Sequence, residues 1–374
     1  MNHKSIFWTK VITASALGIS LTAVTMVLPF TSNNSQLAYA ADASSYYSAV
    51  DVSSANSLFK SLVSIESKAK SGSYAALWTI YKTAYKKSDG KIKDYYSDAT
   101  SYTPGTNQCG SYSEEGDCYN REHSIPKSWW GGSTSGQGAD PFIVVPSDGK
   151  VNGMRSNYPF GEVSSATYTS KSGCKLGSGK MGSTSIGICF EPMDSVKGDF
   201  ARIYFYSKVR WPNVNMTSGE GSTVFYSSAS SSTNYGLKED AVTMFLKWCF
   251  NDPVDAWEMS VNDAIYSSST YGNRNPFIDH PEYACKIWGD TNDETKAICK
   301  NVIPTNPDSG DTGGDTGGDT GGDTDNTDNQ DNGSSKNGCR ASIGGSSIIL
   351  FVASATALGV VIKKKKDDKE KSDK

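Results

Sequence analysis

The chain has 374 residues, a formal net charge of −4 and a sequence pI of about 5.5. This balance excludes a protein that is basic over its whole surface, although it permits a local basic groove for nucleic acid. Aromatic residues make up 11% of the chain, which excludes full disorder and suffices for a sizeable core. Three histidines occur, at positions 3, 123 and 280, so histidine chemistry has few candidates.

Residues 1–40 have the pattern of a secretion signal. Lys4 and Lys10 precede an apolar run over residues 11–30, and the stretch ends in Ala38-Tyr39-Ala40. A basic region, an apolar region and a small-x-small site together predict cleavage after Ala40 and export of the remainder. An uncleaved N-terminal anchor is the alternative.

Residues 41–303 are predicted to be the folded body, of α+β class. Helically spaced apolar residues share a face at 58–65, 77–84 and 237–248, and Asp252-Pro253 is typical of the cap and first residue of a fourth helix. Residues 97–195 are rich in Gly, Ser and Tyr, which predicts short strands and long loops. Because loops often carry function, we expect the chemistry in this part.

Two polar segments of this irregular part stand out. Arg121, Glu122 and His123 are consecutive in a stretch suited to a strand, and an apolar run at 142–145 predicts a second strand. Residues 146–149 are a helix-start signal, and a helix over 148–156 would bring Asn152 and Arg155 onto one face. Neighbours on a regular strand point to opposite faces, so Glu122 and His123 would diverge on such a strand. We therefore expect the pair to lie at a strand end or distortion, which Pro126 favours.

These groups suit hydrolysis of a phosphodiester. His123 can take a proton from water near neutral pH. Glu122 and Asn152 offer hard oxygen ligands to Mg²⁺, an ion that offsets the charge growing on the phosphate. An arginine such as Arg155 can pair with the phosphate oxygens.

The cysteines predict disulfides in an exported protein. Close spacing favours three pairs and leaves Cys249 buried and free. The predicted pairs are Cys109–Cys118, Cys174–Cys189 and Cys285–Cys299. No Cys-x-x-Cys occurs, which disfavours a zinc ribbon or a thioredoxin-like site.

Four sequence blocks resemble the bacterial endonuclease I family, secreted or periplasmic nucleases of the His-Me finger (ββα-metal) superfamily. In family order they are YNREHSIPKSWWGG (119–132), VPSDGKVNGMRSNYPFGEV (145–163), FEPMDSVKGDFARIYFY (190–206) and GNRNPFIDHPEYACKIWGD (272–290). The resemblance covers most of residues 95–290. It implies that His123 is the general base, that Glu122 and Asn152 bind the metal, and that Arg155 or Arg121 steadies the phosphate.

The resemblance also implies a fold and an activity. The fold is a ββα-metal (His-Me) finger embedded in a mostly helical body. The activity is sequence-non-specific endonuclease action on DNA, often on RNA too, with one Mg²⁺ per site and 5′-phosphate products; Mn²⁺ and Ca²⁺ are alternative ions. The expected partner is the nucleic acid substrate, and no obligate protein partner is evident.

Three further residues are candidates for contact with the substrate: Arg274, Asn157 and Trp129. For Arg274 and Trp129 a role in bracing or packing the core is equally expected, and for His280 a structural role is favoured. Residues 140–144 depart from the family pattern, because Phe142 and Ile143 replace a polar pair that relatives commonly carry. Val261 also stands where an arginine is expected.

This departure supports a different class of function. The alternative is a catalytically inactive, nuclease-like surface protein that binds nucleic acid or acts as an adhesin. A serine hydrolase is disfavoured because the chain has no Gly-x-Ser-x-Gly, and a zinc peptidase because it has no His-Glu-x-x-His.

The far end of the chain predicts a membrane anchor. Residues 342–362 carry no charge, and 21 residues in a helix span roughly 30 Å of hydrocarbon. The basic tail at 363–374 follows directly, which places it in the cytoplasm and the catalytic body outside the cell. A sorting tail that is later removed is the alternative, although no Leu-Pro-x-Thr-Gly sequence precedes the span.

Residues 304–341 join the body to this span and predict a disordered linker. Gly-Asp-Thr-Gly repeats with a period of four from Gly310 to Thr324. Such a stretch cannot bury a core, and glycine keeps it flexible while like charges extend it. A calcium-binding repeat is the alternative, but the apolar position of the nonapeptide repeat and the closing Glu of an EF-hand loop are missing.

Overall fold

The computed structural model describes residues 43–300 and 302. Within them the chain is a mixed α/β structure with two small antiparallel sheets. The predicted signal, linker, membrane span and basic tail lie outside these residues. Among the described residues, no helix has the length and apolar character needed to cross a membrane.

Helices α1 and α2 lie between residues 55 and 81, before the first sheet. Helix α1 (Ala55–Glu66) begins at Ser54, whose side chain accepts a hydrogen bond from the Ser57 backbone N–H. Its buried face is the one predicted from the spacing of apolar residues at 58, 62 and 65. Helix α2 (Leu77–Tyr81) follows a short 3₁₀ turn at Tyr74–Ala76.

A strand pair followed by a helix forms the centre of the irregular part. Strand β1 (Tyr119–His123) pairs antiparallel with β2 (Val144–Asp148), and helix α3 (Gly149–Arg155) follows at once. The Asp148 carboxylate caps α3 by accepting a hydrogen bond from the Val151 N–H. The predicted order of strand, loop, strand and helix is therefore present.

The second sheet is a meander of three strands. These are β3 (Glu162–Thr169), β4 (Lys175–Met181) and β5 (Thr184–Glu191), in that spatial order. The tight turn between β4 and β5 contains Gly182 at a φ of 56°, a conformation that glycine adopts without a steric penalty.

The disulfide prediction is confirmed at two of its three pairs. Cys109–Cys118 and Cys285–Cys299 are bonded, and Cys249 is free and buried. The predicted bond between Cys174 and Cys189 is wrong, because both are separate buried thiols. In the β4–β5 register Cys189 lies opposite Gly177, which is three residues or roughly 10 Å along the strand from Cys174. A disulfide needs Cα atoms within about 7 Å.

Helices make up the rest of the body, and α4 runs through its core. Every α4 residue after the first is buried, and the helix packs against α1, α5 and α7. The helices in this part are α4 (Lys197–Arg210), α5 (Glu239–Asn251), α6 (Ala256–Tyr266), α7 (Pro276–Asp279), α8 (Glu282–Trp288) and α9 (Asp293–Cys299).

The predicted start of the helix after residue 252 is wrong by three residues. Asp255, not Asp252, caps α6 by accepting from the Glu258 N–H. Asp252 instead accepts a hydrogen bond from the Gly198 N–H at the start of α4. The carboxylate that the local sequence predicts to be a helix cap is therefore engaged in a contact between distant segments.

Candidate active site

Strand β1 sends neighbouring side chains to opposite sides. Glu122 points inward, is 2% exposed, and contacts Tyr96 and Arg155. Arg121 and His123 lie on the other side, where both contact the ring of Tyr74. The pair lies at the end of β1, as expected, and its two side chains still point to opposite sides as the two-residue period of a strand dictates.

His123 is held in a form that can accept a proton. Its Nε2 lies 3.3 Å from the Gly138 carbonyl oxygen. Since a carbonyl oxygen only accepts, Nε2 carries the proton and the Nδ1 lone pair is left for chemistry. Burial lowers the pKa of His123 to about 4, and the nearby positive charges of Lys127, Arg155 and Arg121 act in the same direction. The imidazole is therefore neutral at pH 7.

Aromatic rings surround this histidine and the neighbouring arginine. Tyr74 stacks on His123 with centroids 5.7 Å apart, and Trp130 lies 6.1 Å away at a tilt of 57°. The Arg121 guanidinium carbon lies 3.5 Å from the Tyr74 ring centroid and 4.5 Å from that of Trp78. Arg121 Nη1 also donates to the Tyr74 carbonyl oxygen at 2.9 Å. The positive charge is thus fixed beside His123 while Arg121 stays partly exposed.

The two oxygens of Glu122 have different environments. Oε1 accepts from Arg155 Nη1 at 2.5 Å and from the Tyr96 hydroxyl at 2.8 Å. Oε2 makes no hydrogen bond to any described residue, and it is not completely enclosed by the protein. Burial raises the pKa of Glu122, and the Arg155 charge opposes this. One oxygen is therefore anchored and the other is left as a potential ligand atom.

Arg155 lies inside the protein, which differs from the predicted contact with phosphate. It is 1% exposed, and besides Glu122 it donates to the carbonyl oxygens of His123 at 2.7 Å, Ser124 at 2.7 Å and Tyr158 at 3.1 Å. All three guanidinium nitrogens are thus engaged internally. Arg155 positions the end of β1 and the Glu122 carboxylate.

Asn152 and Glu122 are the pair that could hold a metal ion. Asn152 is half-buried on α3, and its side chain makes no hydrogen bond to any described residue. Helix α3 packs against both β1 and β2. The described residues contain no group of three or more His, Cys, Asp or Glu side chains suited to a metal. A hard cation with one carboxylate, one amide oxygen and several waters fits this donor set.

The three other candidates for substrate contact lie in different environments, and one of them is exposed. Trp129 is 1% exposed and packs against Phe225, so it belongs to the core. Arg274 is buried and forms ion pairs with Asp263 and Asp279, both at 2.7 Å, so it braces the region of α6 and α7. Asn157 is exposed just after α3, with no side-chain hydrogen bond to a described residue.

His280 occupies a packing position. Its Nδ1 lies 3.1 Å from the Glu282 carboxylate, and its ring contacts those of Tyr47 and Tyr283. This agrees with the structural role that the sequence favours.

Phe142 and Ile143, the apolar residues that replace the polar pair of relatives, fill the core behind the site. Phe142 and Ile143 are buried, and the Ser124 N–H donates to the Ile143 carbonyl oxygen at 3.0 Å. Asp140 accepts from the Tyr206 hydroxyl at 2.9 Å and from Trp211 Nε1 at 3.0 Å. Val261 is buried as well. The segment therefore supports the backbone next to His123 by packing.

Three residues of the site were absent from the sequence prediction: Tyr74, Tyr96 and Gly138. Tyr74 and Tyr96 are 49 and 26 residues from the side chains they contact, and no motif links them to the Glu-His pair. Gly138 contributes only its carbonyl oxygen, which a side-chain pattern does not reveal.

The fold and the sequence together define a nuclease. The chain matches the Endonuclease I family over residues 33–282. It is 30% identical to an extracellular ribonuclease of Bacillus amyloliquefaciens, over 73% of this chain and 88% of that protein. It is 31% identical to an extracellular ribonuclease of Bacillus subtilis (strain 168), over 66% of this chain and 80% of that protein. The chain belongs to the endonuclease I family, and it is a hydrolase of the nuclease class.

Proposed function

We propose that this protein is an exported, metal-dependent endonuclease that hydrolyses phosphodiester bonds of RNA and DNA without base specificity. The observation that carries the proposal is the geometry of His123: the Gly138 carbonyl oxygen holds its Nε2, its Nδ1 makes no hydrogen bond to a described residue, and the charge of Arg121 lies beside it. The family match and the ribonuclease names of two relatives support the substrate class. Contacts to phosphate carry little sequence information, which favours cutting without base preference.

His123 acts as the general base. Gly138 holds Nε2–H, so Nδ1 accepts the proton of a water that attacks the phosphorus. Arg121 takes over the phosphate contact that the sequence assigned first to Arg155. Arg121 is partly exposed and lies on the same side of β1 as His123, where its guanidinium would donate to phosphate oxygens.

Glu122 Oε2 and the Asn152 amide oxygen would hold one divalent cation, for which Mg²⁺ is the first choice and Mn²⁺ or Ca²⁺ the alternatives. When bound, such an ion offsets negative charge on the phosphate and the leaving oxygen. Arg155 and Tyr96 keep the Glu122 carboxylate in place by binding its other oxygen. In this proposal β1, β2 and α3 form the ββα-metal finger.

The domain layout and the location belong to the same proposal. Residues 1–40 direct export, 41–303 form the nuclease domain, and the linker at 304–341 tethers it to an anchor at 342–362 with a cytoplasmic tail at 363–374. The sequence pattern and the extracellular relatives support export. Cell fractionation tests the anchor, because the protein should sediment with membranes and deletion of 342–374 should release it to the medium.

Incubation of the purified protein with RNA and with plasmid DNA tests the activity. Each polymer is combined with Mg²⁺, Mn²⁺, Ca²⁺ or EDTA. We expect cleavage that needs a divalent ion, disappears in His123→Ala and persists in His280→Ala, a matched histidine that packs away from the site. A folded wild-type protein that cuts neither polymer with any ion would refute the proposal and favour a nucleic-acid-binding surface protein.

A further inference from the structure

Two adjacent tryptophans have opposite environments. Both lie in the 3₁₀ turn Lys127–Trp130 that follows β1. Trp129 is 1% exposed in the core, whereas Trp130 is only half-buried and lies beside His123. The turn thus places one large aromatic ring at the proposed catalytic base.

Trp130 differs from Tyr74 and Trp78 because no cation lies over its ring among the described residues, although part of the side chain packs against the core. Arg121 covers both Tyr74 and Trp78. Within the described residues, the one aromatic or cationic contact of the Trp130 ring is with His123, at a tilt rather than in a stack. Its indole Nε1 donates to the Ser133 carbonyl oxygen at 3.1 Å, which fixes the plane of the ring.

The two residues that follow Trp130 are exposed glycines. Gly131 and Gly132 follow directly with φ values of 88° and 82°, and no atom lies within 4 Å of the position that a Cβ would take at either. The backbone that follows Trp130 is therefore uncrowded, which leaves room beside the turn for a ligand.

We propose that Trp130 is a stacking platform for an unpaired base, so that this site selects single-stranded nucleic acid over duplex. The inference rests on the proposed function and names its substrate class. In a duplex, neighbouring bases already cover both faces of each base, whereas in a single strand those faces are available to an aromatic side chain. Arg121 holds the phosphate while Trp130 holds the adjoining base.

Oligonucleotides of one sequence test this inference. The substrates are single-stranded RNA, single-stranded DNA, the same DNA as a duplex, and single strands with one abasic position moved along the sequence. The variants are Trp130→Leu, Trp130→Phe and the control Tyr226→Leu. Tyr226 is a half-buried aromatic residue stacked under Lys238, away from β1.

We expect Trp130→Leu to lower kcat/KM on both single strands by about 5- to 100-fold, the range that the loss of one stacked base corresponds to. Trp130→Phe should retain most of the activity, and duplex cleavage should change by less than about twofold in either variant. In the wild type, an abasic position next to the cleaved bond should cause a similar loss. In Trp130→Leu the abasic position should cause no further loss of activity, because the ring that would stack on the missing base is already absent. Tyr226→Leu should leave all rates unchanged.

Equal losses on single strands and duplex, or an abasic penalty that persists in Trp130→Leu, would overturn the platform. Binding to His123→Ala, followed by fluorescence anisotropy, tests stacking without hydrolysis. In that background Trp130→Leu must weaken the affinity for single strands and not for duplex. If the wild type cuts no substrate but Trp130→Leu weakens binding to single strands only, the proposed function is refuted and the platform is not. If the wild type cuts nucleic acid but Trp130→Leu does not weaken binding to single strands selectively, the platform is refuted and the proposed function is not.

Discussion

Replacing Arg155 by Met separates a bracing role from a phosphate-binding role. The substitution keeps much of the side-chain volume but removes a guanidinium that is 1% exposed and bound to Glu122 and three carbonyl oxygens. Glu122, whose side chain is 3% exposed, would lose its charged partner. Breaking a buried ion pair in this way costs about 3–5 kcal/mol, and we expect Arg155→Met to lower the free energy of unfolding by that amount.

The assay is denaturant unfolding of a double-mutant cycle. The cycle contains Arg155→Met, Glu122→Met and the double variant, measured beside the wild type. Removing both partners leaves no unpaired charge, so the double variant should be about 1–3 kcal/mol more stable than the sum of the two single losses predicts. Arg121→Met is the matched control on the same strand. It should lose activity with little change in unfolding, because Arg121 is only partly buried.

The opposite pattern would contradict this reasoning. If Arg155→Met unfolds at the same denaturant concentration as the wild type but shows a raised KM for nucleic acid, Arg155 meets the substrate, as the sequence first suggested. Additive losses in the cycle would show that the short contact between Arg155 and Glu122 contributes no coupling to the folded state.

Three further predictions concern the parts that support the site. Burial raises the pKa of Glu66 from its ordinary 4.5 to about 8. The folded protein keeps this proton between those values while the unfolded chain loses it, so stability should fall as pH rises through that window, by up to about 1.4 kcal/mol per pH unit. Unfolding at several pH values should show a slope that is smaller in Glu66→Gln than in the wild type, because other buried carboxyl groups such as Asp94, whose pKa is raised to about 7, remain. An equal slope in both proteins would refute this role of Glu66. At Gly138 an added Cβ would collide with the Ser133 carbonyl oxygen, so Gly138→Ala should move the group that holds His123. Initial rates should show a lower kcat with little change in KM, and an unchanged kcat would refute the role of that carbonyl. The Cys109–Cys118 bridge packs against Gly149 at the start of α3, so replacing both cysteines by serine should cost about 2–4 kcal/mol in thermal unfolding. Unchanged stability would show that the bridge does not support the helix.

The elements of the site could be predicted from the sequence because their signals are local. The cap at Asp148 and the strand-like runs on either side of the long loop gave the order of β1, β2 and α3. The same local signal failed at Asp252, whose carboxylate binds a backbone N–H 54 residues away instead of capping a helix. Spacing along the chain correctly predicted two disulfides. It wrongly predicted a third between Cys174 and Cys189, because the strand register keeps those two residues apart.

By itself, the sequence determined the family, the candidate residues for the site and the order of the elements that carry them. Only the tertiary structure decided what each group can reach. Arg155 and Glu122 are 33 residues apart, and their contact inside the core buries Arg155, whereas Arg121 on the same strand as Glu122 stays partly exposed. Trp129 and Trp130 are identical in type and adjacent in sequence, yet one is enclosed and the other is open. Burial depends on which distant segments pack against a residue, and neither composition nor spacing contains that information.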